Sequence, residues 1–193
     1  MMADPVLPFP LGHGSVVVTT RDRRDVTIRH IAPKDAALLV DLYKRLSRET
    51  LRLRFLSPQP ERPDEIVWAE AMRQANINPL VEAALIGVVS EDSLEYAVGV
   101  AQLAREGVHA TTAEVAIVLR DDYQGMGLGT QLFDLLLQVA LVRGLKSLRA
   151  YTLAENTAMR QLVRRSGLPF TQATSYGETT ITIALADDSP VAG

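Results

Sequence analysis

Glycines alternate with other residues across Gly125-Met126-Gly127-Leu128-Gly129, between the apolar run 115–119 and the amphipathic run 128–142. A strand that breaks into a glycine-dense turn and enters a helix leaves backbone N–H groups unpaired at the positive end of the helix dipole. A Cβ in such a turn would restrict its dihedrals and hold an anion away from the amides. Gln124, Gly125, Met126, Gly127, Leu128, Gly129 and Thr130 therefore form a candidate phosphate cradle. Two other uses of the device fit poorly. A dinucleotide loop is followed by an acidic residue roughly twenty positions on, and the stretch 148–151 has no acid before Glu155. A nucleoside-triphosphate loop ends in Gly-Lys-Ser/Thr, and no lysine occurs between Lys44 and Lys146.

A second chemical candidate, Glu114, heads the same apolar run. A carboxylate at that point can act as a general base or be an ordinary solvated strand-end acid. His13, His30 and His109 are scattered without metal-ligand spacing, so no metal is expected. No serine lies in a Gly-x-Ser-x-Gly elbow.

Gln124, Gly127 and Gly129 stand in the register Gln/Arg-x-x-Gly-x-Gly/Ala, and Ala113-Glu114-Val115-Ala116 leads into them. Upstream lie Leu42-Tyr43-Lys44-Arg45-Leu46-Ser47 and Leu53-Arg54-Phe55-Leu56; downstream, Glu155-Asn156-Thr157-Ala158-Met159-Arg160 and Arg164-Arg165-Ser166-Gly167. Over most of 26–185 these segments resemble the GNAT superfamily of N-acetyltransferases, and within it the bacterial protein-lysine acetyltransferases. The resemblance implies acetyl-CoA as co-substrate, with its pyrophosphate on residues 124–130. It also implies an α/β fold, a mixed, mostly antiparallel twisted sheet flanked by helices. Two central strands, 114–119 and 148–152, would splay apart after a bulge. Ile117, Val118 and Leu119 would then follow the pantetheine arm, with the unpaired backbone of Ile117 and Leu119 bonding its amides.

By the same resemblance Glu114 is the general base that deprotonates the incoming amine, which lysine needs because its free pKa is about 10.4. Asn156 contacts the pantetheine arm besides capping a helix. Arg165 lies near the phosphates, or is a solvated helix-end arginine. Tyr151 and Ser166 are the candidates for the acid that reprotonates the CoA thiolate. Met126 departs from the pattern, since many relatives carry Arg or Lys there; Arg120 is a candidate to restore the charge. The implied acceptor is a protein lysine. A small amine such as a polyamine or aminoglycoside is the alternative, and a catalytically silent acyl-CoA sensor a third reading. The acidic stretch 61–65 with Glu70 would favour a cationic acceptor.

With 193 residues, 47% of them hydrophobic, the chain is long enough for one domain with a sizeable core. We assign 1–22 to an N-terminal arm, 23–186 to the domain and 187–193 to a tail. A formal net charge of −3 argues against a general nucleic-acid binder, although Arg160, Arg164 and Arg165 could form a local basic patch. Cysteine is absent, which leaves no disulfide framework and no thiolate nucleophile and points to the cytoplasm. No run approaches the roughly eighteen apolar residues of a membrane span, so no membrane partner is expected, and the protein is read as a monomer or homodimer.

The elements that must position these residues follow from periodicity and punctuation. The run 16–20 either pairs with 26–31 through the charged turn 21–24 or leads into it. A helix follows from Pro33 to Leu46, Ser47 caps a second, Pro58, Pro60 and Pro63 break the chain, and 64–76 is a third helix. The runs 81–89 and 96–104 form a hairpin, 114–119 a strand, 128–142 a helix ended by Gly144, 148–152 a strand, 156–166 a helix closed by Gly167, and 170–175 with 179–185 a final hairpin.

Overall fold

The structure, a computed structural model, describes residues 14–60 and 62–185. The arm as far as His13, Glu61 of the acidic stretch and the tail 187–193 lie outside them. Eight strands form a single sheet: β1 (Ser15–Thr19), β2 (Asp25–His30), β3 (Glu82–Glu91), β4 (Leu94–Ala104), β5 (Thr112–Leu119), β6 (Ser147–Leu153), β7 (Phe170–Ser175) and β8 (Glu178–Ala184), in the order β1-β2-β3-β4-β5-β6-β8-β7. Every neighbouring pair is antiparallel except β5 and β6, which are parallel. That exception is dictated by the helix α4 (Leu128–Val142) between them, because a parallel pair needs a long crossover. The first strand belongs to the sheet, so the stretch set apart as an arm, 1–22, contributes a paired edge strand.

The hairpins are closed by two-residue turns with both central φ angles positive, 49° and 65° at Asp92-Ser93, and 49° and 85° at Tyr176-Gly177. These match the sheet's right-handed twist and let β3 and β4 run two residues further into the turn than the sequence predicts.

Five α-helices cover the two faces. On one face lie α1 (Ala36–Arg45), α2 (Arg48–Phe55) and α3 (Asp64–Ala75); on the other lie α4 and α5 (Thr157–Arg165). The stripe of α4 is set by Leu128, Leu132, Phe133, Leu136, Val139 and Ala140, all buried, and the helix packs on β3, β4 and β5. Leu135, expected in that stripe, is only partly buried and packs at its edge. Burying each such large aliphatic side chain contributes about 1.5–3 kcal/mol, so α4 is anchored far more strongly by packing than by propensity.

One sequence expectation fails in position. The register shift falls between β3 and β4 at Gly87/Val88, one strand away from the splay. The looped-out residue, Val98, has a carbonyl that accepts the Arg120 N–H at 2.9 Å. The bulge thus secures the exit of β5 rather than forcing β5 and β6 apart.

The α1 side carries a buried ion pair. Asp35, 1% exposed, takes Arg29 in a two-pronged contact at 2.6 and 2.9 Å and the Ala32 N–H at 2.8 Å, tying the entry of α1 to β2. Removing the carboxylate leaves a largely buried guanidinium with only the half-exposed Glu95, 3.5 Å away, as a charged partner. Asp35→Ala is expected to lower unfolding free energy by about 3–5 kcal/mol in urea titrations, whereas Asp41→Ala, on the exposed face of α1, should cost under about 1 kcal/mol.

Candidate functional site

Pairing between β5 and β6 stops after three residues, Thr112 with Ser147, Ala113 with Leu148 and Glu114 with Arg149. Beyond that point β5 stays with β4 and β6 stays with β8, and the two strands diverge. Hydrogen-bonded pairs alternate along an antiparallel ladder. Arg120 N–H bonds Val98 in phase with the Val118–Val100 pair, so Ile117 and Leu119 turn their N–H and C=O groups away from β4, into the opening.

A cavity of about 220 Å³ occupies that opening, lined from the α2 side by Thr50, Leu53 and Arg54 and from the α5 side by Asn156, Met159 and Arg165. Ile117, Val118, Leu119, Gln124, Gly125, Gly127, Gly129 and Thr130 also line it. The amphipathic α5 reaches it because Asn156 caps the helix, its Oδ1 accepting the Met159 N–H at 3.1 Å. Met126 and Leu128 do not line the cavity; Leu128 is fully buried at the start of α4 and serves the core.

The cradle has the form the glycines demand. Gly127, at φ +90°, is the residue before the first turn of α4, and the first intrahelical bond runs from Gln131 N–H to Gly127 O at 3.3 Å. The amides of Leu128, Gly129 and Thr130 precede it and face the mouth of the helix unpaired by backbone. A Cβ at Gly129 would stand 3.3 Å from Leu119 Cδ1, closing the space between strand and helix. Amides without partners, a helix dipole and room for a chain along an unpaired strand fit a thioester carrier with a diphosphate.

A family model described as the acetyltransferase (GNAT) domain matches residues 25–169. The chain belongs to the GNAT acetyltransferases. Members of this family draw the acetyl group from acetyl-CoA. Among curated relatives, an acetyltransferase of Pseudomonas aeruginosa is 31% identical over 144 residues, 73% of either chain. The acetyltransferase Pat of Mycolicibacterium smegmatis is 39% identical over 82 residues, which are 42% of this chain and 25% of that one. The chain thus aligns with only a quarter of that relative's length. Among solved structures, the GNAT domain of S. lividans PAT superposes with a TM-score of 0.73 at 24% identity, covering 88% of this chain and 96% of that domain.

Within this GNAT domain the candidate residues separate into two groups. The cofactor-side set, apart from Met126 and Leu128, lines the cavity. Glu114 does not line it: exposed, it sits at the apex where the strands part, about 10 Å along the strand from Ile117. Tyr151 lies on the other limb, 44% exposed, its hydroxyl 3.5 Å from Arg149 Nη1. Ser166 donates its hydroxyl proton to the Val163 carbonyl at 2.7 Å and closes α5, so its proton is already engaged. Arg120 does not compensate for Met126. Its guanidinium grips Asp122 at 2.7 and 3.0 Å over the Tyr123 ring, away from the cradle. In the acidic stretch, Asp64 is paired with Lys44 and Glu70 with Arg73, which removes two of the carboxylates expected to attract a cation.

The contribution of α2 to the site is not legible in the sequence. Asp121 accepts from the Ser47 hydroxyl at 2.6 Å, the Ser47 N–H at 2.9 Å and the Thr50 hydroxyl at 2.8 Å. Gln124 Nε2 in turn donates to Thr50 Oγ1 at 2.9 Å and to Leu119 O at 3.2 Å. The family glutamine is therefore also a buttress, joining cradle, β5 and α2. Only the cap signal of Ser47 was readable; its partner lies 74 residues away. Arg52 of α2 also reaches Glu155, beside Asn156, and so links α2 to the entry of α5 across the cavity.

Burial pushes the Asp121 carboxyl up, but the Ser47 and Thr50 hydrogen bonds outweigh it and hold the group below the ordinary carboxylate value. A carboxyl depressed on folding stabilises the fold above its unfolded pKa of about 3.9, and that contribution disappears as pH falls through the folded value. Asp121→Asn should therefore flatten the acid limb of the stability profile below about pH 4 and destabilise the protein by about 1–2 kcal/mol at pH 7, read by thermal unfolding across pH.

Proposed function

We propose that this chain acetylates lysine side chains of proteins by direct transfer, with Glu114 as the general base. The observation that carries the reading is the loss of β5–β6 pairing immediately after Glu114. It leaves an unpaired strand edge leading from the cradle of residues 124–130 to a carboxylate. When bound, acetyl-CoA supplies an activated thioester carbonyl. Leu128, Gly129 and Thr130 hold its diphosphate through their amides. The N–H and C=O of Ile117 and the N–H of Leu119, whose carbonyl accepts Gln124 Nε2, bond the pantetheine amides as an added strand would, and the side chains of Val118, Asn156 and Met159 exclude water from the arm. Glu114 takes a proton from Nζ of the incoming ammonium, directly or through a water, so that the neutral amine is presented to the carbonyl. Tyr151 is the acid for the departing sulfur, on the limb facing Glu114. Arg165, exposed at the end of α5, adds charge at the phosphate end.

Exposure supports a macromolecular acceptor. Glu114 lies on an open sheet face beside exposed Arg149 and Tyr151, not in a closed pocket that would select a small amine by shape. An extended lysine on a protein surface reaches such a base without unfolding its carrier.

Glu114→Gln is expected to lower kcat by about 10²–10⁴-fold, with the Kd for acetyl-CoA changed less than twofold, in CoA-release assays paired with calorimetry. If turnover survives the substitution, Glu114 is not the base. Acceptors are separated by offering folded proteins and free polyamines or aminoglycosides in parallel. Acetyl-lysine mass shifts on the proteins with no CoA release from the free amines support the assignment, and the reverse pattern overturns it.

A further inference from the structure

The middle of the cradle carries Met126, so the loop itself brings no cation to a diphosphate. The turn joining β1 to β2 packs directly on that loop. Arg21 donates its N–H to Met126 O at 3.0 Å, and its Nη1 approaches Gly125 O at 3.4 Å. A Cβ built on Gly127 would lie 3.8 Å from both Cγ and Nε of the same arginine. The side chain therefore runs along the glycine loop with its guanidinium beside it.

The neighbouring arginines are committed elsewhere. Arg24 contacts Asp22 at 2.7 Å and Asp122 at 3.3 Å and stacks 3.6 Å above the Tyr123 ring. Arg120 grips the same Asp122. Among the described residues Arg21 pairs with no carboxylate, and its one side-chain bond is the long contact to a loop carbonyl. An exposed guanidinium held at the mouth of a helix, with donors to spare, is matched to a bidentate phosphate partner.

We propose that Arg21, delivered by the β1–β2 turn, is the cation of the diphosphate cradle and takes the place of the basic residue missing at Met126. The proposal rests on reading residues 124–130 as the phosphate site. It makes β1 and the turn after it, which precede the family match at 25–169, part of the cofactor site, since the backbone bond to Met126 O fixes where Arg21 stands.

The test is calorimetry on the full chain with CoA and with acetyl-pantetheine, which lacks the diphosphate. Arg21→Gln should raise the Kd for CoA about tenfold, as expected for one charge-assisted contact, and leave that for acetyl-pantetheine unchanged. Arg23→Gln, in the same turn, should leave both unchanged. Met126→Arg should restore CoA affinity in the Arg21→Gln background and add much less to the unaltered chain. A CoA affinity within twofold after Arg21→Gln, or an equal loss for both ligands, overturns the proposal. Gly127→Val separates it from the reading beneath it. If Gly127→Val weakens CoA while Arg21→Gln does not, the cradle stands and Arg21 is not its cation; if Gly127→Val leaves CoA binding intact, the cradle itself falls.

Discussion

The whole arrangement depends on a strand edge left without a partner. An apolar strand in the middle of a sheet normally has both sides of its backbone bonded, and leaving one side open costs free energy and invites aggregation. Here β5 and β6 pair over three residues and then separate, and the open side of β5 faces a cavity walled by helices from both faces of the sheet. The opening is stable because each strand keeps its other neighbour: β4 holds β5, and β8 holds β6 along its whole length.

The glycine loop and Glu114 are positioned by that one event. The distance from Glu114 to the cradle is set by the number of residues on β5, and the direction in which Ile117 and Leu119 point is set by the phase of the β4 ladder. The Val98 bulge fixes that phase at its end by holding Arg120, and Tyr123, buried under Arg24, anchors the short turn that follows. The cluster of Asp121, Ser47, Thr50 and Gln124 then locks α2 over the opening. Sheet, loop and helix are joined by side chains bonded to one another, while Glu114, Tyr151 and Arg165 stay exposed.

Much of the fold was legible because its signals are local. The α4 boundaries came directly from the glycine loop before it and Gly144 after it, the Ser47 and Asn156 caps from their residue types, and the hairpins from charged or glycine-containing turns between β-rich runs. Part of the cavity wall was legible for the same reason: Ile117 to Leu119 and the glycine loop 124–130 are separated by four residues in the chain, so their proximity needs no tertiary information, whereas Asn156 and Arg165 reach the cavity from α5. What failed was non-local. Arg120 was expected at the cradle because it is close in sequence, yet Asp122 captures it two residues on, and a competing carboxylate outweighs proximity. The bulge was expected at the splay and lies on the far side of β4.

The sequence alone marked the candidate residues and the axis they share: alternating glycines after an apolar strand suit an anion cradle, and a carboxylate stands at the head of that strand. Backbone dihedrals and side-chain chemistry are properties of short segments, so they can be read without a fold. Only the tertiary structure decided what stands around that axis. It determined that β6 leaves β5 after Arg149, that α2 roofs the opening, that Asp121 is shared with residues 74 and 71 positions away, and that an arginine from the edge hairpin lies on the glycine loop. Those contacts join segments far apart in the chain, and their energy exists only when the sheet has brought the segments together.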